Sequence, residues 1–148
     1  MIAVDTNILV YAHRPDSPWH RAADRCLTAL AEGASPWAIP WPCIHEFVGV
    51  VTHPRVFRPP TALKDALEEV ECWLESPNAH VIGEAAGYWM EFRSVALGAS
   101  IAGPMVHDAR IVAICRQHGV RTLWSADRDL SRFAGLRIVN PLIGEAEE

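Results

Sequence analysis

The sequence predicts an α/β fold in three layers, with a mostly parallel sheet of four to five strands between helices. Three observations predict it. The chain opens on a continuous apolar run, the mark of a strand buried on both faces of a parallel sheet. Short apolar strands then alternate with helical periodicities along the whole length. Finally, 148 residues, half of them hydrophobic and 21% charged, suit one compact domain with a sizeable core rather than a disordered chain.

Residues 1–4 form the first strand. Ser17-Pro18 reads as an N-cap with proline at the first helical position, opening a helix through Ala23, Leu27 and Leu30 that stops at Gly33. Residues 37–41 make a second strand. Pro42 starts a helix carrying Ile44, Phe47, Val48 and Val51 on one face, ended by His53-Pro54. Residues 61–75 are amphipathic, with Leu63, Ala66, Leu67, Val70 and Leu74 on the apolar side. A short strand at 79–82, a helix over 84–97 and a loop of small residues at 98–103 follow. The helix over 105–117 is closed by His118-Gly119. Residues 121–124 form a strand, 127–133 a short helix and 136–139 the last strand. One domain over 1–143 is expected, followed by an acidic tail at 144–148.

Composition removes several functions. The net charge of −5 argues against holding nucleic acid by bulk positive charge. Lys64 is the one lysine among 13 basic residues, and no phosphate-binding glycine loop surrounds it. Cys26, Cys43, Cys72 and Cys115 are far apart in apolar stretches, which suits buried reduced thiols of a cytoplasmic protein and excludes a zinc framework. No apolar run reaches membrane-spanning length, and Asp5 interrupts the N-terminal one, so neither a membrane span nor a signal peptide is expected.

In parallel sheets the working site lies at the carboxyl ends of the strands, where strand order reverses. Asp5-Thr6-Asn7 follows the first strand and Ser125-Ala126-Asp127-Arg128-Asp129 the fourth. Two further acids, Glu46 and Asp108, stand in the opening turns of otherwise apolar helices. Singly, each has a structural explanation as a turn acceptor or a helix-dipole partner. Together they resist it: a carboxylate ending a buried strand is costly, and few cations stand nearby in sequence. If they converge, two carboxylates about 5 Å apart repel by roughly 3 kcal/mol at an effective dielectric near 20. An all-carboxylate set suits Mg²⁺ or Mn²⁺, and a pair of such ions supports phosphodiester cleavage.

The motifs then carry a resemblance. Asp5-Thr6-Asn7-Ile8-Leu9-Val10-Tyr11-Ala12, Glu46 in its helix, His107-Asp108-Ala109-Arg110-Ile111 and Ser125-Ala126-Asp127-Arg128-Asp129-Leu130 resemble, in order, the four acidic motifs of PIN-domain nucleases. Ser17-Pro18-Trp19-His20-Arg21-Ala22-Ala23, Val51-Thr52-His53-Pro54-Arg55-Val56-Phe57, Arg132-Phe133-Ala134-Gly135-Leu136-Arg137 and Asn140-Pro141-Leu142 are similar to the VapC toxins of VapBC toxin–antitoxin modules. The resemblance covers essentially the whole chain. It implies a Mg²⁺- or Mn²⁺-dependent endoribonuclease toxin with Asp5, Glu46, Asp108 and Asp127 as metal-site acids and Thr6 or Ser125 supporting them by hydrogen bonds. Asp129 stands near enough to compete for the fourth position. Leu130 replaces the phenylalanine usual in the last motif, which touches packing rather than chemistry. The resemblance also implies an RNA substrate, a VapB-type antitoxin and a homodimer.

Rival readings fall short. A dehalogenase-type phosphatase needs an acid where Asn7 stands, and a receiver domain needs a lysine after the late strand. A degenerate PIN domain acting only as a binding module is the remaining alternative, and the four filled acidic positions speak against it. The tryptophans, Trp19, Trp37, Trp41 and Trp124 among them, are read as core or interface residues before RNA-stacking ones. His45 and His107, each beside a proposed ligand, are expected to take no part in catalysis. Trp19 and Phe47 are expected to be exposed and to line the antitoxin groove.

Overall fold

The computed structural model describes residues 1–144, so the acidic tail expected at 144–148 lies, but for its first residue, outside the described residues. Five strands form one sheet: β1 (Ile2–Val4), β2 (Trp37–Pro40), β3 (Ala79–Ile82), β4 (Thr122–Trp124) and β5 (Arg137–Val139). Their order is β3-β2-β1-β4-β5 and every pairing is parallel, as the apolar runs predict. Six helices flank the sheet: α1 (Thr6–His13), α2 (His20–Glu32), α3 (Trp41–Val51), α4 (Leu63–Glu75), α5 (Tyr88–Ala99) and α6 (Met105–Gln117). Ala3, Val4, Ala38, Ile39 and Leu123 are wholly buried, which is why these strands read as unbroken apolar runs.

Strand order reverses beside β1: the chain goes outward through β2 and β3, then returns to pair β4 on the other side of β1. The register sets Val4 against Trp124, and Asp5 N–H donates to the Trp124 carbonyl at 2.9 Å. The residues that leave these two strands, Asp5 and Ser125, therefore emerge side by side at the crevice where such sheets bind ligands.

Helix α1 has no counterpart among the sequence-predicted elements. Thr6, Ile8, Leu9 and Val10 are all buried, so this short helix is apolar nearly all round and shows no amphipathic period. Other differences are local. Ser17 does not cap α2; its hydroxyl accepts from Trp19 N–H, and the helix begins at His20. Helix α5 starts at Tyr88, four residues late, after Gly87 in the left-handed region (φ 83°). The last helix is a 3₁₀ segment, Arg128–Arg132, capped by Asp127. Cys26, Cys43 and Cys115 are buried free thiols, but Cys72 faces outward on α4. Phe47, expected on the surface, is fully buried, packing edge-on to Trp73 at 4.7 Å and His13 at 5.3 Å.

Candidate active site

Asp5 ends β1 and caps α1. Its backbone is extended (φ −81°, ψ 163°), and its Oδ1 accepts the Thr6 N–H at 2.8 Å. Oδ1 also lies 3.6 Å from the Cys43 thiol, which donates to it. Oδ2 accepts from the Ser125 hydroxyl at 2.7 Å and from Asn7 Nδ2 at 3.2 Å. A carboxylate that is only 7% exposed is tolerated because four donors surround it.

Asn7, the third residue of the first motif, has a positioning role. Its Nδ2 reaches both Asp5 and the Ser125 hydroxyl (3.0 Å), while its Oδ1 accepts the Ala126 N–H at 3.0 Å. It stitches the end of β1 to the end of β4 across more than a hundred residues of sequence. An amide located two residues after a strand-end acid, on the same turn, is the signal that marks it. Ser125 continues the network by accepting the Asp127 N–H at 3.0 Å.

The other acids come from three more elements. Glu46 lies in the second turn of α3, past the first turn where a helix-dipole role operates, and its Oε2 accepts the Thr6 hydroxyl at 3.2 Å. Asp108 is in the first turn of α6. Asp127 caps the 3₁₀ segment, with Oδ1 accepting the Asp129 N–H at 2.9 Å. One cavity of about 310 Å³ is lined by Asp5, Thr6, Asn7, Glu46, Asp108 and Asp127. Asp129 is not on its wall. Asp127 precedes the helical segment and lines the cavity, whereas Asp129 lies inside the segment.

Burial lifts the carboxyl of Asp5 above the usual range, against the hydrogen bonds of Ser125, Thr6 and Cys43, with repulsion from Asp127 adding to the rise. Burial and then repulsion from Asp5 raise Glu46, whose bond from Thr6 works the other way. Asp108 is raised by burial, then by Asp127, Asp5, Glu46 and Asp129. Cations near the site are engaged elsewhere: Arg110 pairs with Glu84, and Arg14 with Asp16 at 2.7 Å. The thiols of Cys43 and Cys115 are pushed up, Cys115 to about 12, mainly by burial, so neither is a nucleophile.

The donor set fits a hard divalent cation: carboxylate oxygens from four elements, with hydroxyl and amide groups behind them. Among the described residues no three His, Cys, Asp or Glu side chains stand within common ligating distance. Asp5 keeps both oxygens on protein donors.

The PIN domain family matches residues 2–136. The chain is also 36% identical over 140 residues to Ribonuclease VapC48 of Mycobacterium tuberculosis, covering 95% of this chain and 97% of that protein. It is 37% identical over 145 residues to Ribonuclease VapC43 of the same species, covering 98% of each. The chain is a PIN-domain protein of the VapC branch. The VapC fold agrees in three dimensions. The VapBC2 structure from Rickettsia felis, bound to a promoter DNA fragment, superimposes with a TM-score of 0.68 at 19% identity, over 94% of this chain and 98% of that one. Among the described residues, no helix of this VapC-type chain is long and apolar enough to cross a membrane.

Proposed function

We propose that this VapC-type chain is a Mg²⁺- or Mn²⁺-dependent endoribonuclease toxin that hydrolyses RNA phosphodiester bonds in the cavity of Asp5, Glu46, Asp108 and Asp127. One observation carries the reading: four acids from β1, α3, α6 and the end of β4 line a single cavity, three of them raised by burial and mutual repulsion, with no cation paired to them among the described residues. Such an arrangement costs stability and is useful when a divalent cation binds among the acids. Its VapC relatives are named ribonucleases, which supports RNA as the substrate.

Asp5, Glu46, Asp108 and Asp127 would hold the ion, which supplies a hydroxide nucleophile at neutral pH and neutralises charge on phosphate. The chain's own residues prepare the site. Ser125 and Asn7 fix the plane of the Asp5 carboxylate, and Thr6 ties Glu46 to the same turn. Asn7 locks the loop that carries Asp127 through the Ala126 N–H. Attack by water, not by the 2′-hydroxyl, leaves 5′-phosphate and 3′-hydroxyl ends. The test is cleavage of total cellular RNA with EDTA, Mg²⁺ or Mn²⁺, with the ends mapped. Metal-independent cleavage, or 2′,3′-cyclic phosphate ends, overturns the reading.

An antitoxin partner belongs to the same proposal, and VapBC2 is a complex of this kind. A second cavity of about 250 Å³ between α2 and α4 is lined by Leu27, Trp37 and Trp73 together with Asp24 and Glu69. Buried Trp37 Nε1 and Ser76 Oγ on its wall have no partner among the described residues. Apolar walls and two acids suit a basic, amphipathic segment. Trp73 takes the place in this groove that the sequence assigned to Phe47. Homodimerisation rests on the family resemblance; Trp89, Met90 and Leu97, exposed on α5, offer an apolar face for it.

A further inference from the structure

The acidic cavity does not end at Glu46 and Asp108. A second lobe of about 460 Å³ shares Glu46, Asp108 and Ile111 with it and continues along Pro42, His45, His107 and Arg110. The lobe is open and falls in the ~300–1,000 Å³ range of small-ligand sites. One wall differs from the rest. Trp41 and His45, one turn apart on α3, lie face to face, with ring centroids 6.0 Å apart and planes 25° from parallel. Both are exposed, and His45 lines the lobe while Trp41 backs it.

This stack is held from behind. Trp41 rests on Gly83, where a Cβ would stand 3.1 Å from the indole Cδ1. The Gly83 carbonyl accepts from His118 Nε2 at 2.8 Å, and Gln117 bonds Ala85 and Ala86 at 3.1 Å each. The loop under the tryptophan is thus fastened to the C-terminal end of α6. Exposed aromatic area of this kind contributes little to stability, whereas the buried Trp37 and Trp73 already serve the core. Arg110 also lines the lobe, its guanidinium Nε donating to Glu84. A flat aromatic face and a cation, adjoining the reaction cavity, match the two ends of one nucleotide.

We propose that this lobe is a nucleotide subsite: a base next to the scissile phosphate stacks on His45, backed by Trp41, while Arg110 takes its phosphate from Glu84. The subsite rests on the nuclease reading above and adds to it a single-stranded substrate, because a stacked base must leave its own helix to reach the wall. Every base has a stacking face, so the subsite selects for an unpaired nucleotide more than for its identity. His45 acts here as a surface, without proton transfer.

The test uses a single-stranded RNA containing a cleavage site mapped with the wild-type protein. An abasic nucleotide is moved one position at a time across that site. Affinity is measured by fluorescence anisotropy on Asp5→Asn protein, and kcat/KM on protein with Asp5 intact. The expected result is one abasic position that costs about tenfold in affinity, within the range of base–aromatic stacking. His45→Ala should cost the same with intact RNA, and the abasic change should then add nothing. Trp41→Ala and Gly83→Val, which loosen the wall from behind, should each give a smaller loss at the same position. Losses that simply add in His45→Ala, or a scan flat to within twofold, overturn the subsite while cleavage itself persists. If His45→Ala leaves RNA affinity intact and instead weakens a co-purified antitoxin, the wall belongs to a protein partner and the subsite is again overturned. A wild type that cleaves no RNA with either metal removes the nuclease reading and the subsite with it.

Discussion

Replacing Asp5 by asparagine tests whether this carboxylate serves the fold or the reaction. The change keeps the shape and removes the charge. Asparagine is as good an N-cap as aspartate, so the bond from Thr6 N–H to α1 survives. The loss falls on Oδ2, where an amide NH₂ would face Asn7 Nδ2, costing about 1–3 kcal/mol for an unmet donor pair. Ser125 does not offset this, because its hydroxyl already accepts from Asn7 Nδ2 and the Asp127 N–H. Against this, each carboxylate within roughly 7 Å of a lost charge relieves about 2 kcal/mol of repulsion at an effective dielectric near 20. Asp127, Glu46 and Asp108 all feel Asp5. The metal-free variant should therefore melt at the wild-type temperature or somewhat above it. Metal separates the two proteins. Ligand at a hundred times Kd stabilises by about 2.7 kcal/mol. That is roughly 5–11 °C for a chain of this size. Melting curves at pH 7 in EDTA and in millimolar Mn²⁺ should show that rise for the wild type and little of it for the variant, which should not cleave RNA. Unfolding of the variant in EDTA, or an equal Mn²⁺ shift in both proteins, would refute the reasoning and leave Asp5 a structural cap.

The fourth acid is tested by comparing Asp127→Asn, which should weaken Mn²⁺ binding and lower turnover by orders of magnitude, with Asp129→Asn, which should cost at most ~0.5–1 kcal/mol of stability; a larger catalytic loss at Asp129 would reverse the assignment. Asn7→Ala cuts the tie between the ends of β1 and β4, so turnover should fall at least tenfold, as for a lost outer-shell partner of a metal ligand, with EDTA-state stability down by about 1–3 kcal/mol. Asp5, Glu46 and Asp108 bind protons more tightly folded than unfolded; in EDTA their contribution is therefore present below the unfolded carboxylate range and is lost as pH rises through their raised folded values. Melting temperature in EDTA should rise on mild acidification from neutrality, whereas the Mn²⁺ shift should shrink over the same interval because the ion needs deprotonated ligands; parallel trends would count against the site. Co-expression with a cognate VapB-type antitoxin should give a co-purifying complex without RNase activity, and a Glu69→Lys change in the α2–α4 groove should weaken it.

Much of this protein was legible in sequence because its signals are local. The unbroken apolar runs of β1 and β2 and the periodicity of α4 are consequences of burial on two faces or on one, and they leave a pattern within a few residues. The order of Asp5, Glu46, Asp108 and Asp127 could be read for the same reason, each acid standing just after a strand or early in a helix. Local patterns fail where burial has no period. Helix α1 is surrounded by protein, so Ile8, Leu9 and Val10 look like a strand or a loop. Phe47 reads in sequence as an exposed groove residue, whereas α4 brings Trp73 against it and buries it. The site's finer structure is wholly tertiary. Asn7 meets Ser125 across 118 residues because parallel pairing sets Val4 opposite Trp124 and lays two strand ends together. That Asp127 and not Asp129 lines the cavity follows from where a five-residue 3₁₀ segment begins, at the Asp127 cap. Residue types and their order come from the chain itself; which of them share a cavity depends on strand register and helix docking, contacts between distant segments that no short stretch of sequence encodes.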